Sequence, residues 1–591
     1  MTKTDILLMK MDKKDLLDIL HNMARKLSEE KRDKFMEMLA KYTEAIPVKP
    51  KQHENRRKRL AELTIQEEEA IQKRKKEIEE WYQAIEEGEL QITAQGYEDY
   101  EKGYWNSEWI YEYDDEAAIG RKIEESCQFA QECLDKGKYE AAISVFEMIM
   151  NTEVTVDDEN TGDYFTLTLD EMVKEKLVAI DLKKLALYVL YADYQRLKSE
   201  QRAKDMYEYF GYPYFQDIHV EDIFSIGTEE LQNVDEFWSS WIQLLKQKEG
   251  DVEARLLKEA VLYHRGVDGL LEIAGNSYEI HPSLYLKVIE GFLFENNMDK
   301  AISIGLEALN KLNKDLVIRG EIAIITARIA ADSGDSRLKR ECWYEAFYSN
   351  SIVTNYLRLF CDTDCQREYK EKSEIRIQAL NKSVEDTSSA QQAEKRKNIL
   401  SRRDYQLLSF LSGDFEQTIN LCKQQKDLGW SGNFVEIGIP LFLLCLHEGE
   451  ILGKAGREVA INVAYKIGFS AREFHFELVQ RAIVGDLVTT NNKDGEIFWE
   501  TFLKWKTAYE IKGKDQEKYV EYLDEVIDKR IKAIVGGQYR NKYDSVARLA
   551  AAVGEMKESR GEKLAKKQTI EKYKAAFPRH SSFQSELYKW I

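Results

Sequence analysis

The sequence predicts an all-α protein: an α-solenoid of helical hairpins, preceded by a short helical N-terminal region and a long charged helix. Three observations carry this. Six prolines among 591 residues, against about one residue in twenty on average, leave long stretches without a helix breaker. A Gly- or Asn-bearing turn followed by an apolar-periodic helix recurs, around Gly137, Asn296 and Gly413. A hydrophobic fraction of 43% supplies enough apolar surface to offset the entropy of ordering the chain. The length suits about four domains or one elongated array.

Residues 1–48 form the N-terminal helical region. Leu16, Leu17, Ile19, Leu20, Met23, Ala24 and Leu27 recur at helical spacing, followed by Phe35, Met36, Met38 and Leu39. Pro47 and Pro50 end the pattern. Region 49–115 opens with a densely charged stretch to about residue 87. Ile71, Ile78 and Ile85 lie seven apart there, but Glu67, Arg74 and Trp81 fall where a coiled coil needs its second seam. A solvated helix with one weak apolar stripe is the expectation. Stretch 96–115 interleaves carboxylates with Tyr97, Tyr100, Tyr104, Trp105, Trp109, Tyr111 and Tyr113, and Gly96 and Gly103 oppose a continuous helix. An irregular segment folded across the array is expected.

Helical hairpins follow in a first lobe, 116–380. Gly137-Lys138-Tyr139-Glu140-Ala141-Ala142-Ile143, with Phe146 and Ile149, has the turn and second helix of a tetratricopeptide-like unit. The Gly permits the turn, the aromatic plugs the gap between the helices, and Ala142 lets their backbones approach. Asn296 to Ile302 repeats this, with Gly305 and Ala308. Gly413 to Ile419 does so with Cys422, and looser copies begin at Lys198 and Gly334. The copies keep no constant period near 34 residues and most lack the first-helix aromatic, so the array resembles divergent tetratricopeptide repeats.

The polar stretch 381–397, with Ser383, Asp386, Thr387, Ser388 and Ser389, reads as a linker before a second lobe, 398–591. That lobe ends in helices around 519–534 and 543–553 and an amphipathic helix near 568–576 before Pro578. Three local strings add a resemblance. They are Trp343-Tyr344-Glu345-Ala346-Phe347-Tyr348-Ser349-Asn350 with Tyr356-Leu357-Arg358-Leu359; Ser409-Phe410-Leu411-Ser412-Gly413-Asp414-Phe415 with Leu428-Gly429-Trp430-Ser431; and Gly536-Gly537-Gln538-Tyr539-Arg540 with Phe577-Pro578-Arg579-His580. Together they resemble the helical region that follows the finger in bacterial SWIM-type zinc finger proteins, over residues 120–591. That family's finger needs Cys-x-Cys followed by Cys-x-His, which this sequence lacks, so its zinc and nucleic-acid roles do not carry over. A bacterial helical-repeat module without its finger is what the resemblance implies.

Catalytic motifs find little support. Gly449-Glu450-Ile451-Leu452-Gly453-Lys454-Ala455 is one residue short of a phosphate loop and has Ala where the Mg²⁺-binding hydroxyl belongs. His447-Glu448 lacks the second zinc ligand of a metalloprotease helix, since position 451 is Ile. Cys361-Asp362-Thr363-Asp364-Cys365 brings two thiols together without further ligands of suitable spacing, so a helix-terminus pair of half-buried thiols outweighs a metal site. No catalytic residue, cofactor or metal is assigned.

A basic run at 56–59 could touch RNA or an acidic partner. The neighbouring acidic runs favour pairing within the helix instead, as they do for Lys73, Arg74, Lys75 and Lys76. Net charge is −20, from 86 basic and 106 acidic side chains, which opposes general phosphate binding. The apolar runs at 6–9 and 439–446 fall short of a signal-peptide core and of a membrane span respectively. Seven sparse cysteines suit reduced core thiols. A cytoplasmic, non-enzymatic scaffold or adaptor follows, offering a concave helical surface to a protein or peptide partner of basic character, away from nucleic acid and membrane. The alternative is a nucleic-acid-associated regulator using run 56–59. Tyr104, Trp105, Trp109 and Tyr111 are the candidate partner contacts. The competing use of these rings is to cap the open apolar end of the first hairpin, and the cap is the weightier reading.

Overall fold

The computed structural model describes residues 65–99, 108–226, 231–381, 397–430, 434–470 and 492–591. The expected N-terminal region 1–48, the basic run 56–59, Tyr104, Trp105 and nearly all of 381–397 lie outside them. The chain divides into two compact units, one ending at Gly291 and the other starting at Phe292. Stretch 381–397, expected to separate two lobes, falls inside the second unit. Lys397 at its end bridges to Leu316, and the Asn398 amide donates to the Asp315 carbonyl at 2.6 Å.

The first unit opens with α1 (Ile65–Glu86), β1 (Ile92–Asp99) and β2 (Glu108–Asp114). The hairpin α2 (Ile119–Asp135) and α3 (Tyr139–Met150) follows, then β3 (Glu153–Asp158), β4 (Asp163–Thr168) and α4 (Leu169–Lys174). Helices α5 (Leu182–Arg196), α6 (Ser199–Glu208), α7 (Val234–Leu245) and α8 (Asp251–Ser277) follow. Most described residues are helical, but the expectation of an all-α chain is corrected here: the four strands form one sheet in the order β2-β1-β3-β4. β1 pairs antiparallel with β2 and parallel with β3, and β3 pairs antiparallel with β4. Segment 96–115 is therefore not irregular, because β1 and β2 claim both of its ends. The Glu153–Thr168 hairpin had no counterpart in the sequence reading. Its turn is fixed by Gly162 at φ +72° and by Asp158 Oδ1 accepting the Asn160 amide at 3.0 Å.

The apolar stripe of α1 is not solvated either. Ile71, Ile78, Tyr82 and Ile85 are buried, and α1 packs on α3 and β3. Each such aliphatic side chain contributes about 1.5–3 kcal/mol when removed from water. The charges on its other faces pair within the helix as expected, in Arg74–Glu77, Lys75–Glu79 and Lys76–Glu80.

The second unit contains α9 (Met298–Lys311), α10 (Val317–Asp332), α11 (Ser336–Ser349), α12 (Val353–Arg358), α13 (Thr363–Leu380), α14 (Arg402–Leu411) and α15 (Phe415–Lys423). It continues with α16 (Val435–Leu446), α17 (Lys454–Lys466), α18 (Asn492–Ala508), α19 (Gly513–Gly536), α20 (Tyr543–Ser559), α21 (Ala565–Ala576) and α22 (Ser581–Tyr588). One turn recurs in both units. Gly137, Asn296, Gly334 and Gly413 all take positive φ. In each case the next residue's amide reaches back to the carbonyl five before it: Cys133, Phe292, Ala330 and Ser409. The last turn of one helix is thereby satisfied while the chain reverses. Asn297, Asp335 and Asp414 then cap the next helix through their side chains. The looser copy at Lys198 differs, since an extended Leu197–Lys198 joint replaces the left-handed residue.

Helices α9, α10 and α11 pack in sequence, clipped by buried Arg319. Its guanidinium donates to the Leu309 carbonyl and Ser349 Oγ (2.7 Å) and pairs with Glu345 at 2.6 Å. Farther along, nearest-neighbour stacking gives way. α20 is packed by α16, α17, α19, α21 and α22, so this part closes as a bundle rather than as a solenoid. Ala550, Ala551 and Ala552 are buried along α20, and a Cβ on Gly554 would lie 2.3 Å from the Lys566 Cα of α21.

Buried Glu555 ties the bundle together. It accepts the Gly456 amide at 2.8 Å and the Ala455 amide at 3.2 Å at the start of α17, and pairs with Lys566 at 2.9 Å. Glu555→Ala strands two helix amides and a half-buried ammonium, and is predicted to cost about 2–4 kcal/mol. Glu555→Gln keeps an acceptor and should lose less. Urea unfolding followed by hydrogen exchange of α17 and α20 checks the order, and an unchanged midpoint for Glu555→Ala would refute it.

Candidate partner-binding surface

The sheet sorts its side chains by the two-residue period of a strand. On one face Ile92, Ala94, Val154, Val156 and Leu167 are buried. Tyr111 lies opposite Gly96, Tyr113 opposite Ala94, and Phe165 opposite Val156, extending that face toward β2 and β4. The Tyr111 ring packs on Phe165 at 5.0 Å and on Tyr113 at 5.9 Å, and its hydroxyl donates to Asp158 at 3.5 Å. Burial pushes the Tyr113 hydroxyl up to about 12, with Glu175 adding to the effect. At the far end Trp109 remains 53% exposed and lies over Gly96, where a Cβ would stand 2.5 Å from its indole nitrogen. Two of the four candidate rings are thus described: Tyr111 seals the sheet core, and Trp109 shows its indole to solvent.

The opposite face carries Thr93, Gln95 and Tyr97 of β1, Ile110, Glu112 and Asp114 of β2, Asp157 of β3 and Tyr164 of β4. Tyr97 and Tyr164 are exposed. Tyr97 donates to Glu112 at 3.5 Å, and Gln95 to Glu159 at 2.8 Å. Glu112, Asp114 and Asp157 put three carboxylates on this face, and none of the 27 strand residues is Lys, Arg or His. Such a surface is matched to cations by charge and by its exposed rings. The sequence reading had found the β2 aromatics but missed Tyr97, Glu112, Asp114, Asp157 and Tyr164 as parts of one face. The alternation in Glu108-Trp109-Ile110-Tyr111-Glu112-Tyr113-Asp114 was the signal available.

The motifs weighed as chemistry resolve into packing. The α17 N-terminus, where a phosphate loop would hold its anion, is filled by Glu555, and a Cβ on Gly453 would meet that carboxyl at 2.4 Å. Asp362 caps α13, accepting from the Asp364 and Cys365 amides, and lies 3.4 Å from Lys339. Burial pushes the Cys365 thiol up to about 12. Among the described residues no group of three His, Cys, Asp or Glu is placed to hold a metal, and no helix is long and apolar enough to cross a membrane.

A cavity of about 230 Å³ in the second unit is lined by Cys445, His447, Lys506, Tyr509, Gln516 and Arg560, among others. Its cations are engaged. Lys506 donates to the His447 carbonyl at 2.5 Å, and Arg560 to Glu448 at 3.0 Å and Gln516 at 3.2 Å, closing the end of α16. No family model matches the chain, and no curated protein matches it.

His447 yields a pH prediction. Burial, with help from Lys506, holds its imidazole below the ordinary histidine value of 6.5, against the opposing Ile451 carbonyl, Glu555 and Glu448. The unfolded chain therefore binds the proton more readily. The stability this ring contributes is complete above pH 6.5 and is lost as pH falls below it. Protection factors of the α16 amides, with exchange rates corrected for their intrinsic pH dependence, should fall from pH 7 to pH 5 in the natural protein and less so in His447→Gln. Equal pH dependence in both would refute the assignment.

Proposed function

We propose that this chain is a non-enzymatic interaction protein, a scaffold or adaptor working in the cytoplasm without a cofactor, that binds a basic segment of a protein partner. In this reading its hairpins are divergent tetratricopeptide-like units related to the helical region of SWIM-type proteins. A concave flank of stacked hairpins belongs to the proposal as an expectation from the sequence. The single observation that carries it is the sheet face bearing Glu112, Asp114 and Asp157 with no strand Lys, Arg or His, where Tyr97 and Tyr164 are exposed, Trp109 being exposed on the opposite face. Carboxylates beside open rings suit Lys and Arg side chains, which gain charge pairing and cation–π contact together. The same surface repels phosphate, so the alternative of a nucleic-acid-associated regulator rests wholly on run 56–59.

The test uses tagged full-length chain and a Glu112→Lys/Asp114→Lys/Asp157→Lys variant, with eluates read by mass spectrometry and for nucleic acid. Exposed pairs contribute about 0.2–1 kcal/mol each, so the triple reversal should weaken capture of the specific partner about tenfold or more. Trp109→Ala should reduce capture less. Binding should fall with added salt. Capture unaffected by the reversal, or an eluate dominated by nucleic acid, would overturn the proposal.

A further inference from the structure

We propose that the outer edge of β2 accepts an extended segment of the partner as a fifth strand, and that this segment alternates basic and apolar residues. The inference rests on the reading of the chain as a binder of basic protein segments, and adds how such a segment is held.

The order β2-β1-β3-β4 leaves β2 at the rim, and among the described residues no strand pairs with its outer side. Edge strands of soluble proteins are commonly guarded by proline, lysine, a bulge or brevity. β2 has none of these, and only the like charge of Glu112 and Asp114 guards it. It runs for seven residues in unbroken register against β1, from Asp114 opposite Thr93 to Glu108 opposite Asp99. Trp, Ile and Tyr make it rich in strand-forming residues. Its outer backbone groups therefore form a template for main-chain pairing.

The carboxylates select what can use the template. A second copy pairing through its own β2 would set Glu112 and Asp114 near their counterparts, and like charges opposed across strands destabilise. A basic strand meets the reverse situation. An added strand continues the pleat, so its alternate residues fall on the two faces already described. Those beside Ile110, Glu112 and Asp114 join the acidic face and are matched by Lys or Arg. Those beside Trp109, Tyr111 and Tyr113 join the aromatic face and are matched by Val, Ile or an aromatic residue. The opposite rim is less suited to this ligand, because β4 carries a single carboxylate, Asp163, in six residues.

The probe is a fluorescent nonapeptide of alternating Lys and Val, titrated by anisotropy into the full chain. Four comparison peptides accompany it: a block-scrambled peptide of the same composition, an alternating Glu/Val peptide, and two Lys/Val peptides backbone N-methylated at alternate residues in one phase or the other. N-methylation removes the edge donors without touching charge or the protein. The expected result is at least tenfold tighter binding of the alternating basic peptide than of the scrambled and acidic ones. One N-methylated phase should lose that advantage, and β2 amides should slow in hydrogen exchange on binding. Glu112→Lys/Asp114→Lys should lose it too.

Equal binding of the parent and both N-methylated peptides, with β2 amides unchanged, would overturn strand addition while leaving a basic partner in place. Equal binding of basic and acidic peptides would overturn both. Protection of β2 amides without peptide, in a dimer seen by sedimentation, would assign the edge to a second copy and overturn the proposal.

Discussion

The register of the sheet against α1 is the constraint from which the candidate surface follows. Ile92 faces Val156 across the parallel pair, and β3 rests on the helix carrying Ile71, Ile78, Tyr82 and Ile85. A slip of one residue would drive Thr93 and Asp157 inward and expose Ile92 and Val156. Two unit charges 4 Å apart in water repel by only about 1 kcal/mol, less with salt. Burial of each large apolar side chain contributes about 1.5–3 kcal/mol. Packing therefore decides the register, and the crowding of Glu112, Asp114 and Asp157 on the outer face is its tolerated consequence.

A parallel pair needs a crossover connection. Between β1 and β3 that path consists of β2 and the α2–α3 hairpin, so the Gly137 turn is part of what brings the two strands side by side. The turn is tied back to α1, where Lys138 pairs with Glu68 at 2.5 Å, and Tyr139 packs edge-on against Tyr191 of α5 at 6.2 Å. A helical hairpin and a sheet are thus one structural unit here. The geometry of the Gly413 turn is the same, but its aromatic has a different task. Phe415 inserts between Phe410 and Phe442, at 5.2 and 5.8 Å, and joins α14 to α16.

What was legible in the sequence was chemistry confined to a few neighbouring residues. A Gly or Asn able to take positive φ specifies a reversal wherever it occurs, and Gly137, Asn296, Gly334 and Gly413 all fulfil it, the last three followed by a capping side chain. Pairing between distant segments was not legible. Ile71, Ile78 and Ile85 looked like half of a coiled coil because the surface they bury against includes a strand some 70 residues later. Glu555 lies about 100 residues from the amides it caps, so Gly453-Lys454 resembled a phosphate loop until its anion proved to be a carboxylate of the chain itself. The Glu153–Thr168 hairpin was overlooked because two six-residue strands between helices hold too few repeats to set a period.

The sign of the charge on the sheet adds a step that its shape does not. A lysine-guarded edge and a carboxylate-guarded edge resist self-association equally well, since either repels its own copy. They differ in what they admit. At physiological ionic strength the Debye length is about 8 Å, so the strand carboxylates act on groups already at the surface, while the net charge of −20 governs what approaches. A cation drawn in by the whole molecule meets, at the sheet, carboxylates beside the exposed rings of Tyr97 and Tyr164. Long-range attraction and local recognition thus favour the same class of ligand. An acidic or phosphate-bearing molecule is disfavoured at both distances.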